Sequence, residues 1–163
     1  MENLKIGVVS GVHGLKGEIK IKSDSKYKNQ IFYLDNLLYL GIEKKSYIIK
    51  SYRVHKEYDM VTFEGINNID EALKFKNKDV YIDKNKLILP ENEYLNEDLI
   101  GINVWFENKE LGIINDIADF GQGNEIMEII GQKRVLIPKN KQFIAEIDIK
   151  LRQMTLKNVK GMI

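Results

Sequence analysis

The segment LKIGVVSGVHGLKGEIKIK, residues 4–22, places a cluster of glycines between two runs rich in β-branched residues. Gly11, Gly14 and Gly17 fall close together, and His13 stands among them. Glycine adopts positive φ and lets neighbouring backbone approach closely, so the cluster predicts a loop whose shape is set by the chain itself. The segment therefore predicts two strands joined by a rigid loop, and that loop is the first place to look for function.

Short runs of β-branched and aromatic residues recur between turn formers along the whole chain. This pattern is typical of small barrels or sandwiches. The predicted strands are 4–10, 18–22, 37–40, 47–54, 60–63 and 80–82 in the first half, and 102–106, 111–117, 125–130, 135–137, 143–147 and 154–159 in the second. One short helix is predicted over residues 68–76, capped by Asn68 and ended by Asn77 in the left-handed conformation.

The domain organisation follows from one polar stretch in the middle of the chain. Residues 85–94 contain Pro90 among Asn, Lys and Glu, which disfavours continuous regular structure. We therefore predict an N-terminal β-barrel over 1–84, a linker over 85–94 and a C-terminal domain over 95–163. A chain of 163 residues is long enough for two small domains.

Composition excludes several classes of protein. The chain has no cysteine, which removes disulfides and thiolate metal sites, and we expect no metal and no cofactor. No run approaches the roughly 18 apolar residues of a membrane helix, and the start of the chain lacks the layout of a signal peptide. We expect a cytoplasmic protein with no membrane partner. The formal charge of +1 does not indicate a strongly cationic RNA-binding protein.

The glycine loop admits four interpretations, of which the first is rejected. It is not predicted to bind phosphate like a nucleotide loop, because a strand follows it where a helix N-terminus is required. His13 is predicted to order the loop through a hydrogen bond. An RNA-processing enzyme using His13 with Glu18 stays open, as does a direct RNA-binding module using Lys16, Lys20 and Lys22.

The second informative region follows the predicted linker. Tyr94 suits either an interface or the core, because it combines a large apolar ring with a polar tip. For Asp98 the favoured role is a carboxylate that accepts backbone amides at a turn. Residues 139–142, which follow Pro138, are predicted to form a solvated polar loop. No catalytic residue is predicted.

Ordered motifs run along the chain: HGLKGE at 13–18, DLIG at 98–101, Leu111-Gly112 and Asp116. Gly123-Asn124, Ile137-Pro138, Phe143 and Ile147-Asp148 follow in the same order. On these residues the chain resembles, over essentially its whole length, the RimM family of ribosome maturation factors. The resemblance implies a first barrel like those of translation factors and a second domain of the PRC-barrel type.

The resemblance also implies a function. Such a protein would be a non-catalytic assembly factor, expected to be a monomer, that binds the immature small ribosomal subunit through a ribosomal protein of its head. It would promote subunit maturation and rRNA processing. The residues expected to contact the ribosomal protein are Tyr94, Leu95, Asp98 and Leu99, and those expected to contact the particle or its RNA are His13, Gly14, Lys16 and Gly17.

Three positions depart from the family pattern. Leu95 replaces the second of two adjacent aromatics, of which Tyr94 matches the first. Ile69 stands where an arginine is usual, and Asn77 where a glycine is usual.

Overall fold

The computed structural model describes residues 2–163. The chain divides into two compact units, of which the first ends at Ile88 and the second begins at Leu89. This division lies inside the predicted linker. Both units are built mainly of strands, and the predicted all-β fold class is confirmed. Among the described residues, no helix has the length and apolar character needed to span a membrane.

The first unit is a closed barrel of six strands with two short α-helices and, directly after the last strand, one turn of 3₁₀ helix (Lys84–Lys86). The strands are β1 (Asn3–His13), β2 (Glu18–Lys22), β3 (Leu37–Leu40), β4 (Lys45–His55), β5 (Tyr58–Phe63) and β6 (Asp79–Asp83), and the helices are α1 (Lys28–Ile31) and α2 (Ile69–Leu73). Around the barrel the order is β1-β2-β5-β4-β3-β6. Alternate residues of each strand point inward and form one apolar core.

β1 is longer than predicted because it is shared between two neighbours. Residues 3–8 pair with β6, and residues 8–13 pair with β2. The register shifts next to Gly7 and again next to Gly11, so the strand bends where it changes partner. A Cβ at Gly7 would lie 2.6 Å from the carbonyl oxygen of Lys22, which explains why this position is glycine.

α2 is shorter than predicted, although its start is as expected. The Asn68 side chain accepts a hydrogen bond of 2.9 Å from the Glu71 amide and caps the helix. After Leu73 the chain continues in tighter turns with bonds to the third residue back, such as that from the Lys76 amide to the Leu73 carbonyl. Asn77 has φ 67°, which confirms the predicted left-handed residue.

The second unit is a six-stranded sheet with one short helix. Its elements are α3 (Asn96–Leu99), β7 (Asn103–Phe106), β8 (Lys109–Asp119), β9 (Glu125–Ile130), β10 (Arg134–Pro138), β11 (Ile144–Asp148) and β12 (Gln153–Leu156). The order is β10-β9-β8-β7-β12-β11, with β12 parallel to β7 and the other pairs antiparallel. A second apolar core lies against this sheet.

The β7–β8 hairpin is tighter than predicted. Phe106 pairs directly with Lys109, so the turn consists only of Glu107 and Asn108. Both have positive φ, 48° and 65°, as a type I′ hairpin turn requires. β8 therefore begins at Lys109 instead of the predicted Leu111.

Two glycines let the paired backbones at β8 and the end of β9 approach each other closely. A Cβ at Gly112 would lie 2.1 Å from the carbonyl oxygen of Ile130, and one at Gly131 would lie 2.0 Å from that of Leu111. Gly112 also has φ 142°. Neither position has room for a side chain.

A pair of alanine substitutions separates backbone strain from this steric conflict. Gly123 also has positive φ, 77°, but a Cβ there meets nothing within 4 Å. We expect Gly123→Ala to lower the free energy of unfolding of the second unit by about 1 kcal/mol. Gly112→Ala should cost about 3 kcal/mol or more, since clash adds to strain. Urea unfolding of both variants measures the difference, and equal losses would contradict the steric account.

Candidate interaction surfaces

The glycine loop of the first unit is held against the start of α2. The Ile69 amide donates to the Leu15 carbonyl at 3.1 Å, and the Gly17 amide donates to the Gly14 carbonyl at 3.2 Å. A Cβ at Gly17, whose φ is 80°, would lie 2.5 Å from the Asn68 carbonyl oxygen. Backbone contacts therefore fix the loop, as its glycine content predicted, while the Leu15 side chain is 83% exposed.

The four residues expected to contact the particle have different surroundings. His13, Gly14 and Lys16 are exposed. Gly17 is buried against α2. It shapes the loop and is not accessible to the particle. Ile69, at the position where an arginine is usual, serves the loop through its backbone amide.

His13 does not stay within its own loop, contrary to the predicted loop-ordering role. It is exposed, and its ring lies 6.4 Å from the ring of His55, the last residue of β4, with 30° between the planes. β1 and β4 are separated in the barrel by β2 and β5, so the two imidazoles meet across the outer face of these strands.

An ion pair lies beside the two histidines. Arg53 of β4 donates from Nε and Nη2 to the two carboxylate oxygens of Glu18, at 2.9 and 2.7 Å. The pKa of Glu18 lies below its ordinary value, and this double hydrogen bond is the main cause. Partial burial raises the pKa, whereas the charges of Arg53 and of both histidines lower it further. Arg53 and His55 were not predicted, because sequence spacing does not bring β4 next to β1 and β2.

The lowered pKa of Glu18 links stability to pH. The Glu18–Arg53 pair is fully stabilising above the unfolded carboxyl pKa near 4.5, and this contribution is lost as the pH falls through the lower folded pKa. In Arg53→Met we expect the pKa of Glu18 to rise toward 4.5, measured by NMR titration of the side-chain carboxyl. Lys5→Met, which breaks the separate ion pair with Asp79, is the control and should leave Glu18 unchanged.

The second surface is the chain segment around α3. Tyr94 is half-buried and packs against the core of the second unit. Leu95 follows in an extended conformation, with φ −66° and ψ 144°, and is also half-buried. The segment thus carries an aromatic and an aliphatic side chain at consecutive positions, both partly exposed.

Two expectations for this segment change. Leu99 is 0% exposed and belongs to the core, so it anchors α3 and cannot contact a partner directly. Asp98 was expected at the start of a turn. It lies half-buried within α3, and α3 is a single turn of helix. A four-residue helix carries too little periodicity to be predicted from sequence.

A polar cluster of Asn96, Glu125 and Lys139 ties α3 to the sheet. Lys139 Nζ donates to Asn96 Oδ1 at 2.5 Å and lies 3.6 Å from Glu125 Oε1. The side-chain Nδ2 of Asn96 donates to Glu125 Oε2. The Lys139 and Glu125 side chains are only 16% and 10% exposed. The prediction of a solvated loop was wrong for Lys139, because its ammonium turns inward to neutralise Glu125.

Removing one member of this cluster should be costly. Lys139→Met leaves Glu125 nearly buried without its countercharge, and we expect a loss of about 2 to 4 kcal/mol in the stability of the second unit. Lys141→Met, at an exposed position of the same loop, is the matched control and should change stability by less than about 0.5 kcal/mol. Equal effects in urea unfolding would show that the cluster is not stabilising.

Within residues 2–163, no group of three or more His, Asp or Glu side chains is arranged to hold a metal ion. The structure brings together a fixed loop beside an ion pair and two imidazoles in one unit, and carries an apolar segment anchored on the core in the other.

Family models match both units. The RimM N-terminal domain model matches residues 4–87, and the RimM PRC barrel domain model matches residues 96–162. The chain belongs to the RimM family. The expected RimM-type barrel and PRC barrel are thereby confirmed.

Several RimM proteins are similar over their whole length. One, the ribosome maturation factor RimM of Staphylococcus aureus strain bovine RF122 / ET3-1, is 34% identical over 98% of both chains. That of Exiguobacterium sibiricum is 33% identical over 100% of this chain and 99% of its own. A crystal structure of a 16S ribosomal RNA processing protein RimM from Pseudomonas aeruginosa is 21% identical, covers 96% of this chain and 97% of its own, and has a TM-score of 0.47.

RimM is a family of non-catalytic assembly factors, so the prediction that the protein is not an enzyme is confirmed. The alternative that His13 and Glu18 cut RNA is set aside. Glu18 is engaged by Arg53 through both oxygens, which agrees with this conclusion.

Proposed function

We propose that the protein is a ribosome maturation factor that binds the immature small ribosomal subunit and promotes its maturation and 16S rRNA processing. The observation that carries this proposal is the match of both RimM domain models, in order, along nearly the whole chain. We further propose that it acts in the cytoplasm as a monomer, without a cofactor, and that it binds the subunit head through a ribosomal protein.

The proposed ribosomal-protein site is the segment of Tyr94, Leu95 and Asp98. Tyr94 supports this assignment because its packing on the core fixes the ring before any partner arrives, so little side-chain entropy is lost on binding. Leu95 adds apolar surface that the core cluster does not use. A fixed aromatic with a neighbouring aliphatic residue is a common form of interface anchor.

Leu95→Asp tests the site with little cost to the fold, since Leu95 lies outside the core cluster. We expect it to weaken binding to the head ribosomal protein by about 1 to 3 kcal/mol, or about 5- to 150-fold in Kd. The matched control is Leu151→Asp, which changes a leucine that is 66% exposed in the turn before β12. Calorimetry that gave the same Kd for both variants and the unaltered chain would reject this segment.

The proposed mechanism is a shift in the population of subunit conformations. A bound factor moves such an equilibrium only by its difference in affinity for the two states, so it must bind immature particles more tightly than mature ones. Retention of purified immature and mature subunits on the immobilised protein measures that difference. Equal retention would count against a maturation role even if the head contact were real.

A further inference from the structure

The outer face of the first barrel carries a surface that the head-binding site does not use. On β2 and β5 the core residues alternate with outward ones, which are Glu18, Lys20 and Lys22 on β2 and Tyr58, Met60 and Thr62 on β5. Register pairs Gly11 with Lys20, Lys20 with Met60, and Met60 with Arg53. These residues form one row across β1, β2, β5 and β4.

Met60 gives this row an apolar base. It is 1% exposed, although it points outward and lies outside the core cluster. Its register partners are Lys20 on one side and Arg53 on the other, whose long aliphatic stems can cover it while their charged ends stay in solvent. The row is therefore a packed platform with cations at its surface.

Both cations of the row are held in position. Lys20 Nζ lies 4.0 Å from the centre of the Tyr58 ring. Arg53 is held by Glu18 through Nε and Nη2, and its side chain is still 50% exposed, so donors on its other edge stay accessible. Cations fixed before a ligand arrives lose less entropy when it binds.

The two histidines add flat rings at the same surface. His13 and His55 are exposed and roughly parallel, and they adjoin Glu18. Beside them Gly11 is bare, since a Cβ there would meet nothing within 4 Å. The adjoining strand and loops add exposed positive charge at Lys16, Lys22 and Lys56. They also carry one exposed negative charge, Glu57.

We infer that this face, made by Lys20, Arg53, His13 and His55 around Met60, binds single-stranded RNA. The cations match phosphodiester groups, and exposed imidazole and guanidinium planes are surfaces on which unpaired bases stack. An acidic polypeptide would satisfy the charges but leave the rings unused, so RNA fits the combination better. The inference rests on the proposed function, because the RNA would belong to the immature subunit, and it assigns Arg53, His55 and the Lys20–Tyr58 pair to that contact.

The test uses the full chain and a fluorescently labelled, unstructured oligoribonucleotide without any ribosomal protein. We expect saturable binding at low salt, with log Kd rising linearly with log salt concentration. Lys20→Met keeps the stem over Met60 but removes one charge, so it should weaken binding about 5-fold or more and reduce the salt slope by about 0.7. Lys44→Met is the matched control, because Lys44 makes the same kind of contact with Tyr81, at 4.9 Å, and should have no effect.

Two further variants test the rings and the bare patch. The double variant His13→Ala/His55→Ala should weaken binding about 10-fold at neutral pH, since it removes both rings on which unpaired bases would stack. Gly11→Glu should abolish binding, whereas Gly11→Gln, which has nearly the same shape without the charge, should retain most of it. Open space at Gly11 keeps both variants folded.

Three outcomes would overturn the inference: no binding at low salt, equal loss in the Lys44→Met control, or competition by poly-glutamate as strong as competition by RNA. The last outcome would identify a surface for an acidic protein. A failure of the RNA inference is distinguishable from a failure of the proposed function. Lys20→Met should leave ribosomal-protein binding intact, and Leu95→Asp should leave oligoribonucleotide binding intact.

Discussion

The pairing of β1 with both β6 and β2 is the constraint on which the first unit depends. Without either set of hydrogen bonds the barrel would have open edges. The strand can serve both neighbours only because its register shifts at Gly7 and Gly11 let it bend. The β1–β2 pairing also shapes the proposed RNA-binding face, because its register places His13, at the end of β1, opposite Glu18, which Arg53 binds.

Much of the local structure could be predicted from sequence, because it depends on neighbouring residues. The strand pattern, the Asn68 cap, the left-handed Asn77 and the glycine-shaped loop all follow from short-range conformational preferences. The limits of strands were less accurate, since a strand continues as long as a partner is available. For β1 that partner changes at Val8, which no local pattern records.

The candidate surfaces were harder to predict because they depend on contacts between distant residues. His13 and His55 meet across two intervening strands, and Arg53 reaches Glu18 across one, β5. Lys139 lies in a segment whose composition is typical of a solvated loop, yet its ammonium is drawn inward by Glu125. Leu99 belongs to a family motif, and only its complete burial shows that its role is to anchor α3. Motif membership therefore does not separate residues that contact a partner from residues that position others.

Leu95 stands in place of the usual second aromatic, which would lower the share of the binding energy that the second unit supplies. Leucine offers less contact area than tyrosine or phenylalanine, so the proposed head contact is weaker than one with paired aromatics. Binding through the proposed RNA surface on the linked first unit would compensate, since a second contact forms at high effective concentration and avidity can exceed either affinity by about 10²- to 10⁴-fold. Such an arrangement also favours release. If maturation buried or reshaped either the RNA or the protein surface, the remaining contact would lose this avidity, and release would need no catalytic step.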